Sequence, residues 1–189
     1  MHDQHRHAGM SSESFLDAAS TLPALGLESG MAFLDAGSGP GHFSLAAAQI
    51  VGETGCVFAV DAHCASIAEV RTRAARTDVG VVIPIYLDLT MGLPLRQASV
   101  DFVLMSNVLH GLVYNEEAHA PLKEIARVLR RRDIFAVIEF KKTERVSGPP
   151  LRVRLAPEEV SEVIRPYGFR QRAVLDVGPF NYAVKFAKI

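Results

Sequence analysis

The chain has 189 residues and a formal net charge of −1; hydrophobic residues make up 49% and charged residues 22%. These values indicate one globular domain over residues 1–189 and argue against a disordered chain. The near-zero net charge gives no general attraction to nucleic acid or to an acidic membrane surface. No uninterrupted run of about 18 uncharged, mainly apolar residues predicts a membrane span.

The two cysteines, Cys56 and Cys64, bear on the cellular compartment. They are too few for a disulfide framework and suggest a reduced, cytoplasmic protein, with a disulfide between them as the alternative.

The N-terminus carries two separate predictions. Residues 1–10 lack the apolar core of a secretory signal and are expected to form a flexible tail, and residues 11–28 a helical cap. Three serines are candidates for the N-cap of that helix: Ser11, Ser12 and Ser14. Three histidines lie in the tail: His2, His5 and His7. A mobile segment offers them no supporting hydrogen bonds, so we predict no metal site there.

Short apolar runs then alternate with helix-like segments, which is typical of an α/β sheet. The predicted strands are residues 31–36, 56–62, 81–88, 100–107 and 133–140. The predicted helices between them are residues 42–51, 66–76 and 121–131. Pro84 lies inside the third predicted strand and favours an edge position, because proline donates no ladder hydrogen bond.

The last third of the chain changes character. Residues 156–168 read as a helix with Pro157 near its first turn and Gly168 as its stop signal. Two further strand-like runs flank the Gly178-Pro179 turn and suggest an antiparallel hairpin. The predicted fold is therefore α/β, a doubly wound and mostly parallel sheet with an antiparallel edge.

A glycine-rich turn, Gly37-Ser38-Gly39-Pro40-Gly41, follows the first predicted strand two residues after Asp35. It departs from the dinucleotide pattern G-x-G-x-x-G because His42 occupies the third glycine position. Asp35 would also repel a pyrophosphate, whereas it would attract the ammonium and sulfonium of S-adenosylmethionine. Backbone N–H groups near Gly41 could bind that ligand's carboxylate. The alternative is an ordinary tight turn in an α/β protein.

Two more acids end the next two predicted strands. Asp61, twenty residues after Gly41, can accept both ribose hydroxyls of an adenosine; its alternative role is a helix N-cap. Asp88 is placed to accept from an adenine amino group, with Leu89 against the ring; its alternative is an ordinary loop acid. Asp35, Asp61 and Asp88 thus end three successive predicted strands, and the first of them lies beside a glycine turn. This combination is more specific for an adenosine-containing ligand than any one of its parts.

These residues resemble the class I S-adenosylmethionine-dependent methyltransferases over nearly the whole chain. Residues 33–44, 57–62 and 100–112 are similar to the first, second and fourth motifs of that family. Residues 122–142 are similar to the segment that closes the core in ubiquinone/menaquinone-type small-molecule methyltransferases. The resemblance implies a seven-stranded sheet of the Rossmann-like methyltransferase fold, with an antiparallel last strand.

The resemblance also implies a set of residues that bind S-adenosylmethionine. The set, ordered from the methionine part through ribose and adenine to the transferable methyl, is Asp35, Gly37, Ser38, Gly39, Asp61, Ala62, Asp88, Leu89, Asn107 and Val108. One departure concerns Arg131-Arg132-Asp133, where the family usually has a Pro-Gly-Gly-like turn. It lies away from the predicted cofactor site, so it should not affect cofactor binding. It argues against close membership of the quinone-type subgroup.

Methyl transfer from a sulfonium needs alignment, exclusion of water and, for some acceptors, removal of a proton. His110, just beyond the fourth predicted strand, is the candidate base, because imidazole titrates near neutral pH. Its alternative is a packing or hydrogen-bonded histidine at a helix start. His42, Tyr114 and Glu139 are weaker candidates for the base.

Missing motifs narrow the methyl acceptor. The chain has no Asn-Pro-Pro-Tyr-like motif of nucleic-acid amino methyltransferases, no catalytic Pro-Cys pair, and too few cysteines for arsenite methylation. We therefore predict a small-molecule acceptor and no nucleic-acid partner. The principal alternative is a non-catalytic S-adenosylmethionine-binding accessory or sensor protein. A nicotinamide-dependent oxidoreductase and a nucleic-acid-modifying enzyme that works with a partner are further alternatives, and the oligomeric state is not predicted.

Overall fold

The structure is a computed structural model that describes residues 16–77, 81–144 and 148–189. Several predictions lie outside the described residues: the tail over residues 1–10, the histidines His2, His5 and His7, and the caps Ser11, Ser12 and Ser14.

Seven strands form one sheet. They are β1 (Ala32–Ala36), β2 (Cys56–Asp61), β3 (Val82–Tyr86), β4 (Val100–Ser106), β5 (Leu129–Phe140), β6 (Phe169–Asp176) and β7 (Asn181–Lys188). Their order is β3-β2-β1-β4-β5-β7-β6. Strands β1 to β5 pair in parallel, and β7 is antiparallel to both β5 and β6. The predicted fold, including the antiparallel last strand and the edge position of Pro84, is confirmed.

Helices cover the two faces of this sheet. They are α1 (Ala18–Leu25), α2 (His42–Val51), α3 (Cys64–Ala74), α4 (Leu109–Tyr114), α5 (His119–Val128) and α6 (Pro157–Ile164). Because successive strand residues face opposite sides, Phe33 belongs to a hydrophobic cluster with residues of α1 and α2, while its neighbour Leu34 belongs to a second cluster with residues of α5 and α6. The sheet is thus buried on both faces, which leaves its edges and strand ends for binding.

Several predicted helix boundaries differ from the structure; α3, for example, spans Cys64–Ala74 and not residues 66–76. Within the described residues, α1 begins at Ala18, and its N-cap is Asp17, whose side chain accepts hydrogen bonds from the N–H groups of Ala19 and Ser20. The helix predicted over residues 121–131 ends at Val128.

The early end of α5 has a physical cause. Strand β5 begins at Leu129, and its pairing with β4 shifts register between the Val100 and Phe102 positions. Arg132 has a φ of 70° within this irregular start, so the three-arginine stretch belongs to a bulged strand and not to a helix end.

None of the helices in the described ranges combines the length and apolar character that crossing a membrane requires.

Candidate active site

The glycine turn follows β1 and is fixed to the neighbouring strand. The N–H groups of Gly37 and Ser38 both donate to the carbonyl of Val60, at 2.8 and 2.9 Å. Gly37 has a φ of 89°, and a Cβ built on it would lie 2.4 Å from Cγ2 of Val108. Only glycine satisfies both conditions, so the backbone of the turn lies directly against Val108, the second residue after β4.

Asp61 ends β2 with its carboxylate held by two backbone donors. Oδ2 accepts from the N–H of Gly39 at 2.8 Å, and Oδ1 accepts from the N–H of His63 at 2.7 Å. The N-cap residue of α3 is His63 and not Asp61, so the N-cap alternative does not describe this side chain. Each carboxylate oxygen has a second lone-pair direction and can accept from a ligand as well.

Asp88 and Leu89 follow β3. Oδ1 of Asp88 accepts from both the N–H and the hydroxyl of Thr90, at 2.9 and 2.8 Å. The Asp88 side chain is exposed, whereas Leu89 is only 7% exposed. This pair presents an anchored carboxylate next to an apolar surface, an arrangement suited to a flat heterocycle with an amino group.

A cavity of about 330 Å³ opens at the carboxyl ends of β1 to β4. The residues predicted for the site that line it are Gly37, Asp61, Ala62, Asp88, Leu89, Asn107, Val108 and His110. The cavity has five further lining residues that the sequence did not assign individually: His63, Gly111, Leu112, Asn115 and Glu117; the last three lie in residues 112–121, the loop expected from the sequence to lie near the acceptor entrance. The first directly follows the Asp61-Ala62 pair, and the others belong to the segment after β4, where ligands bind in open parallel sheets. Their positions directly after β2 and β4 are the sequence signal by which these lining residues could have been found.

Three predicted site residues, Asp35, Ser38 and Gly39, are not among those that line the cavity. Asp35 is 1% exposed, and its Oδ2 accepts from the hydroxyl of Ser44 at 2.6 Å. Burial raises the pKa of the Asp35 carboxyl to about 7; the hydrogen bond from Ser44 opposes this rise, and the charge of Asp61 adds to it. Asp35 is therefore buried beside the glycine turn, bound to Ser44 of α2, and does not line the cavity.

Asn107 holds the end of β4 in an unusual conformation. Its φ is 57°, a region that asparagine tolerates better than most residues, and its N–H donates to the carbonyl of Ile138 at 2.8 Å. Its side-chain oxygen accepts from Nδ2 of Asn181 at 3.0 Å. Among the described residues, the hydroxyl of Ser106 and Oδ1 of Asn181 are buried without a hydrogen-bond partner. Both groups lie next to Asn107 and can form further hydrogen bonds there.

Two of the candidate bases are in direct contact. Nδ1 of His110 lies 2.7 Å from Oε2 of Glu139, and the N–H of His110 donates to Oε1 of Glu139 at 3.0 Å. The two residues are 2% and 0% exposed. The alternative of a hydrogen-bonded histidine at a helix start thus describes the position of His110, which also lines the cavity.

The other two candidate bases lie elsewhere. Nε2 of His42 is 2.7 Å from the carbonyl of Leu16, and neither His42 nor Tyr114 is among the residues lining the cavity.

The metal-ligating side chains in the described ranges form no group of three or more placed to hold a metal ion. Cys56 and Cys64 are both free thiols.

Together, the sheet order, the glycine turn and the acids after β2 and β3 define an α/β protein with a cavity at the carboxyl ends of its parallel strands. Residues 27–165 match the family model described as "Methyltransferase domain". The chain belongs to that family and is an S-adenosylmethionine-dependent methyltransferase.

Solved structures agree with this family. The chain is similar to an S-adenosylmethionine-dependent methyltransferase from Aquifex aeolicus, with 28% identity, a TM-score of 0.84, and coverage of 92% of this chain and 90% of that chain. It is also similar in fold to a methyltransferase from Methanosarcina mazei, with 17% identity, a TM-score of 0.71, and coverage of 89% and 97%.

The fold is shared more widely than the reaction. The cyclase SpnF matches with 19% identity, a TM-score of 0.73, and coverage of 90% of this chain and 80% of that chain. At that identity the likeness concerns the fold alone. No curated protein sequence matches the chain.

The cavity residues suit S-adenosylmethionine, the cofactor of this class. Gly37 lets the turn pack directly against Val108 at the cavity wall, because a Cβ at position 37 would lie 2.4 Å from Cγ2 of Val108. Asp61 adds an oriented carboxylate for vicinal hydroxyls, and Asp88 with Leu89 adds a polar and an apolar contact for a purine. The described lining residues include no lysine or arginine, which accords with a ligand that carries positive charge.

Proposed function

We propose that this methyltransferase acts on a small-molecule acceptor. The observation that carries the proposal is the extent of the cavity: it continues past the proposed cofactor residues to Gly111, Leu112, Asn115 and Glu117 of the segment after β4. Its volume of about 330 Å³ is at the lower end of small-ligand pockets. The net charge of −1 gives no support for a nucleic-acid substrate.

We infer the following positions for the cofactor. Gly37, Ser38 and Gly39 form the turn that holds the methionine part, and Asp35 is the buried acid beside this turn. Asp61 accepts from the ribose hydroxyls with Ala62 beside it. Asp88 and Leu89 hold the adenine. Asn107 and Val108 lie where the transferable methyl faces the acceptor; all these assignments are supported by the contacts described above.

S-adenosylmethionine supplies an activated methyl group on a good leaving group, so the work of the chain is alignment and exclusion of water. Val108, packed against Gly37, and the left-handed Asn107 fix the backbone at the end of β4. The hydrogen bond from Asn181 restrains the Asn107 side chain. These contacts hold the backbone in place beside the proposed position of the transferable methyl.

Residues 122–142 support a relation to the ubiquinone/menaquinone-type group within small-molecule methyltransferases. Against it, Arg131, Arg132 and Asp133 lie in a bulged start of β5 in place of the tight turn usual for that group. We therefore propose the small-molecule class and leave the quinone-type acceptor as one arm of the test.

The test is transfer of a radiolabelled methyl group from S-adenosylmethionine. Purified protein is incubated separately with metabolites that pass an ultrafiltration membrane, a short-chain quinol, total RNA and denatured cell protein. We expect label in the metabolite arm or the quinol arm, and none with the Asp61→Ala variant. Label only in RNA or protein would contradict the proposal. Cofactor binding without transfer in any arm would favour the non-catalytic sensor.

A further inference from the structure

We propose that Glu117 is a specificity-determining residue of the acceptor site and that the acceptor is a small cation, whose positive charge the Glu117 carboxylate binds. The inference rests on the proposed function and narrows its substrate class. Glu117 lies between α4 and α5, and it lines the cavity together with Gly111 and Leu112 of α4.

The backbone of Glu117 is fixed by the C-terminal end of α4. Its N–H donates to the carbonyl of Leu112 at 2.7 Å, and the N–H of Glu116 donates to the carbonyl of Val113 at 3.1 Å. Glu116 has a left-handed φ of 61°. This pair of hydrogen bonds around a left-handed residue forms a Schellman motif, so position 117 is held firmly against the helix end.

The residue type at position 117 departs from the usual form of this motif. In a Schellman motif the residue at this position is frequently apolar, because it packs against the helix residue whose carbonyl accepts its hydrogen bond. Here a glutamate lies at that position, bonded to Leu112, and both residues line the cavity. A charged residue that replaces a local apolar contact is expected where function, and not stability, selects the side chain.

The carboxylate of Glu117 is available to a ligand. The residue is partly buried, and within the described part of the chain its carboxylate has no hydrogen-bond or ion-pair partner. The other lining carboxylates differ: Asp61 accepts from two backbone N–H groups, and Asp88 accepts from Thr90. Since those two are assigned to the ribose and the adenine, Glu117 is the lining acid that remains for the acceptor.

The charges around the cavity favour a cation over an anion. In the described ranges the lining residues include the acids Asp61, Asp88 and Glu117 and neither lysine nor arginine. A carboxylate in a partly enclosed site attracts a cation more strongly than it does in bulk water, and it repels an anion by the same amount. A positively charged acceptor would therefore gain an ion pair with Glu117, whereas an anionic acceptor would meet like charge without a compensating partner.

The first test measures the charge of the acceptor. Metabolites that pass an ultrafiltration membrane are separated at pH 7 into those retained by a cation exchanger, those retained by an anion exchanger and those retained by neither. Each fraction, and separately the short-chain quinol, is incubated with the protein and radiolabelled S-adenosylmethionine. We expect label in the cation-exchanger fraction.

The two proposals fail in different ways in this test. Label confined to the other two fractions or to the quinol would overturn the cationic acceptor and leave the small-molecule function in place. Label in none of these arms would contradict the proposed function, and the inference about Glu117 would fall with it.

The second test asks whether Glu117 recognises that charge. Glu117→Gln keeps the size of the side chain and removes its charge. Glu116→Gln is the matched control, because Glu116 is the exposed neighbour and is not among the lining residues. With the cation-exchanger fraction as substrate, we expect Glu117→Gln to raise the apparent KM by about 10–100-fold with kcat nearly unchanged, since a contact to a charged group is lost from the bound substrate and the transition state alike.

Glu116→Gln should keep the wild-type KM, and both variants should keep the wild-type affinity for S-adenosylhomocysteine in calorimetric titration. Equal KM values for the two variants would mean that the acceptor does not contact Glu117 and would overturn the proposal. Weaker S-adenosylhomocysteine binding in Glu117→Gln alone would assign this residue to the cofactor and overturn it as well.

Discussion

The carboxylate of Asp61 connects the end of β2 to the glycine turn after β1: its Oδ2 accepts a hydrogen bond from the N–H of Gly39 at 2.8 Å. Its other oxygen accepts from the N–H of His63 at 2.7 Å. The same side chain therefore shapes the turn and faces the cavity. This double use explains why an acid at the end of β2 and a glycine turn about twenty residues earlier act as one site.

Replacing Asp61 by alanine is expected to weaken S-adenosylhomocysteine binding by about 100-fold or more, because hydrogen bonds to a charged group are worth roughly 1.5–3 kcal/mol each. Calorimetric titration measures the effect. The matched control is Glu53→Ala, an exposed acid in the turn between α2 and the amino end of β2, at the opposite end of the strand from Asp61. Equal affinity of the Asp61 variant and the control would refute the ribose assignment.

Gly37→Ala is expected to lower the free energy of unfolding by about 2–5 kcal/mol, combining the cost of a left-handed residue with that of overpacking against Val108. Gly30→Ala is the control, because Gly30 has a similar φ of 81° but its Cβ would meet only Thr54 Oγ1, at 3.5 Å. Chemical denaturation of both variants separates the clash from the backbone strain. Equal losses in the two would mean that Val108 moves aside without cost.

The buried carboxyl of Asp35 is expected to make the free energy of unfolding fall as the pH rises from about 4 to about 7. Because burial raises its folded-state pKa from 3.8 to about 7, the folded protein holds a proton that the unfolded chain has already lost in this range. The resulting stabilisation is fully present below pH about 4 and is lost as the pH rises to about 7, on the order of 4 kcal/mol at most.

The comparison for this prediction is Asp35→Asn, which keeps an oxygen that can accept from Ser44 and has no proton to lose. Denaturant titrations across that pH range should show the wild type losing stability relative to the variant. Parallel pH profiles for the two proteins would mean that Asp35 is ionised throughout.

Arg154 organises the segment between β5 and α6. Its Nε donates to the carbonyl of Pro149, and its Nη1 donates to the carbonyls of Lys141 and Thr143, at 2.8, 3.1 and 2.9 Å. Lysine cannot reproduce this planar arrangement of donors, so Arg154→Lys should lower the free energy of unfolding by about 1–3 kcal/mol. The exposed neighbour Arg152, changed to lysine, is the control. Thermal denaturation in which the two variants melt alike would contradict this role.

The sequence predicted correctly those features of the site that depend on residues close together along the chain. The glycine turn and the acids after β2 and β3 are short-range signals, and the structure brings Gly37, Asp61 and Asp88 to one cavity. The helix end at Val128 was misjudged because three arginines resemble a charged helix terminus, whereas pairing with β4 draws them into β5.

Contacts between residues that are far apart along the chain could not be predicted from the sequence. His110 and Glu139 were separate candidates, 29 positions apart, and they meet because β4 pairs with β5 so that Ser106 lies opposite Ile138. The burial of Asp35 depends in the same way on Ser44 of α2 folding back over β1. Neither relationship has a signature in spacing or composition.

The most direct test of the account is calorimetric titration of the purified protein with S-adenosylmethionine, S-adenosylhomocysteine and NAD under identical conditions. We expect binding of the two sulfur ligands and none of NAD, because His42 occupies the third glycine position of the dinucleotide pattern and the acid Asp35 precedes the turn. Binding of NAD in preference to S-adenosylhomocysteine, or of no ligand by well-folded protein, would contradict it.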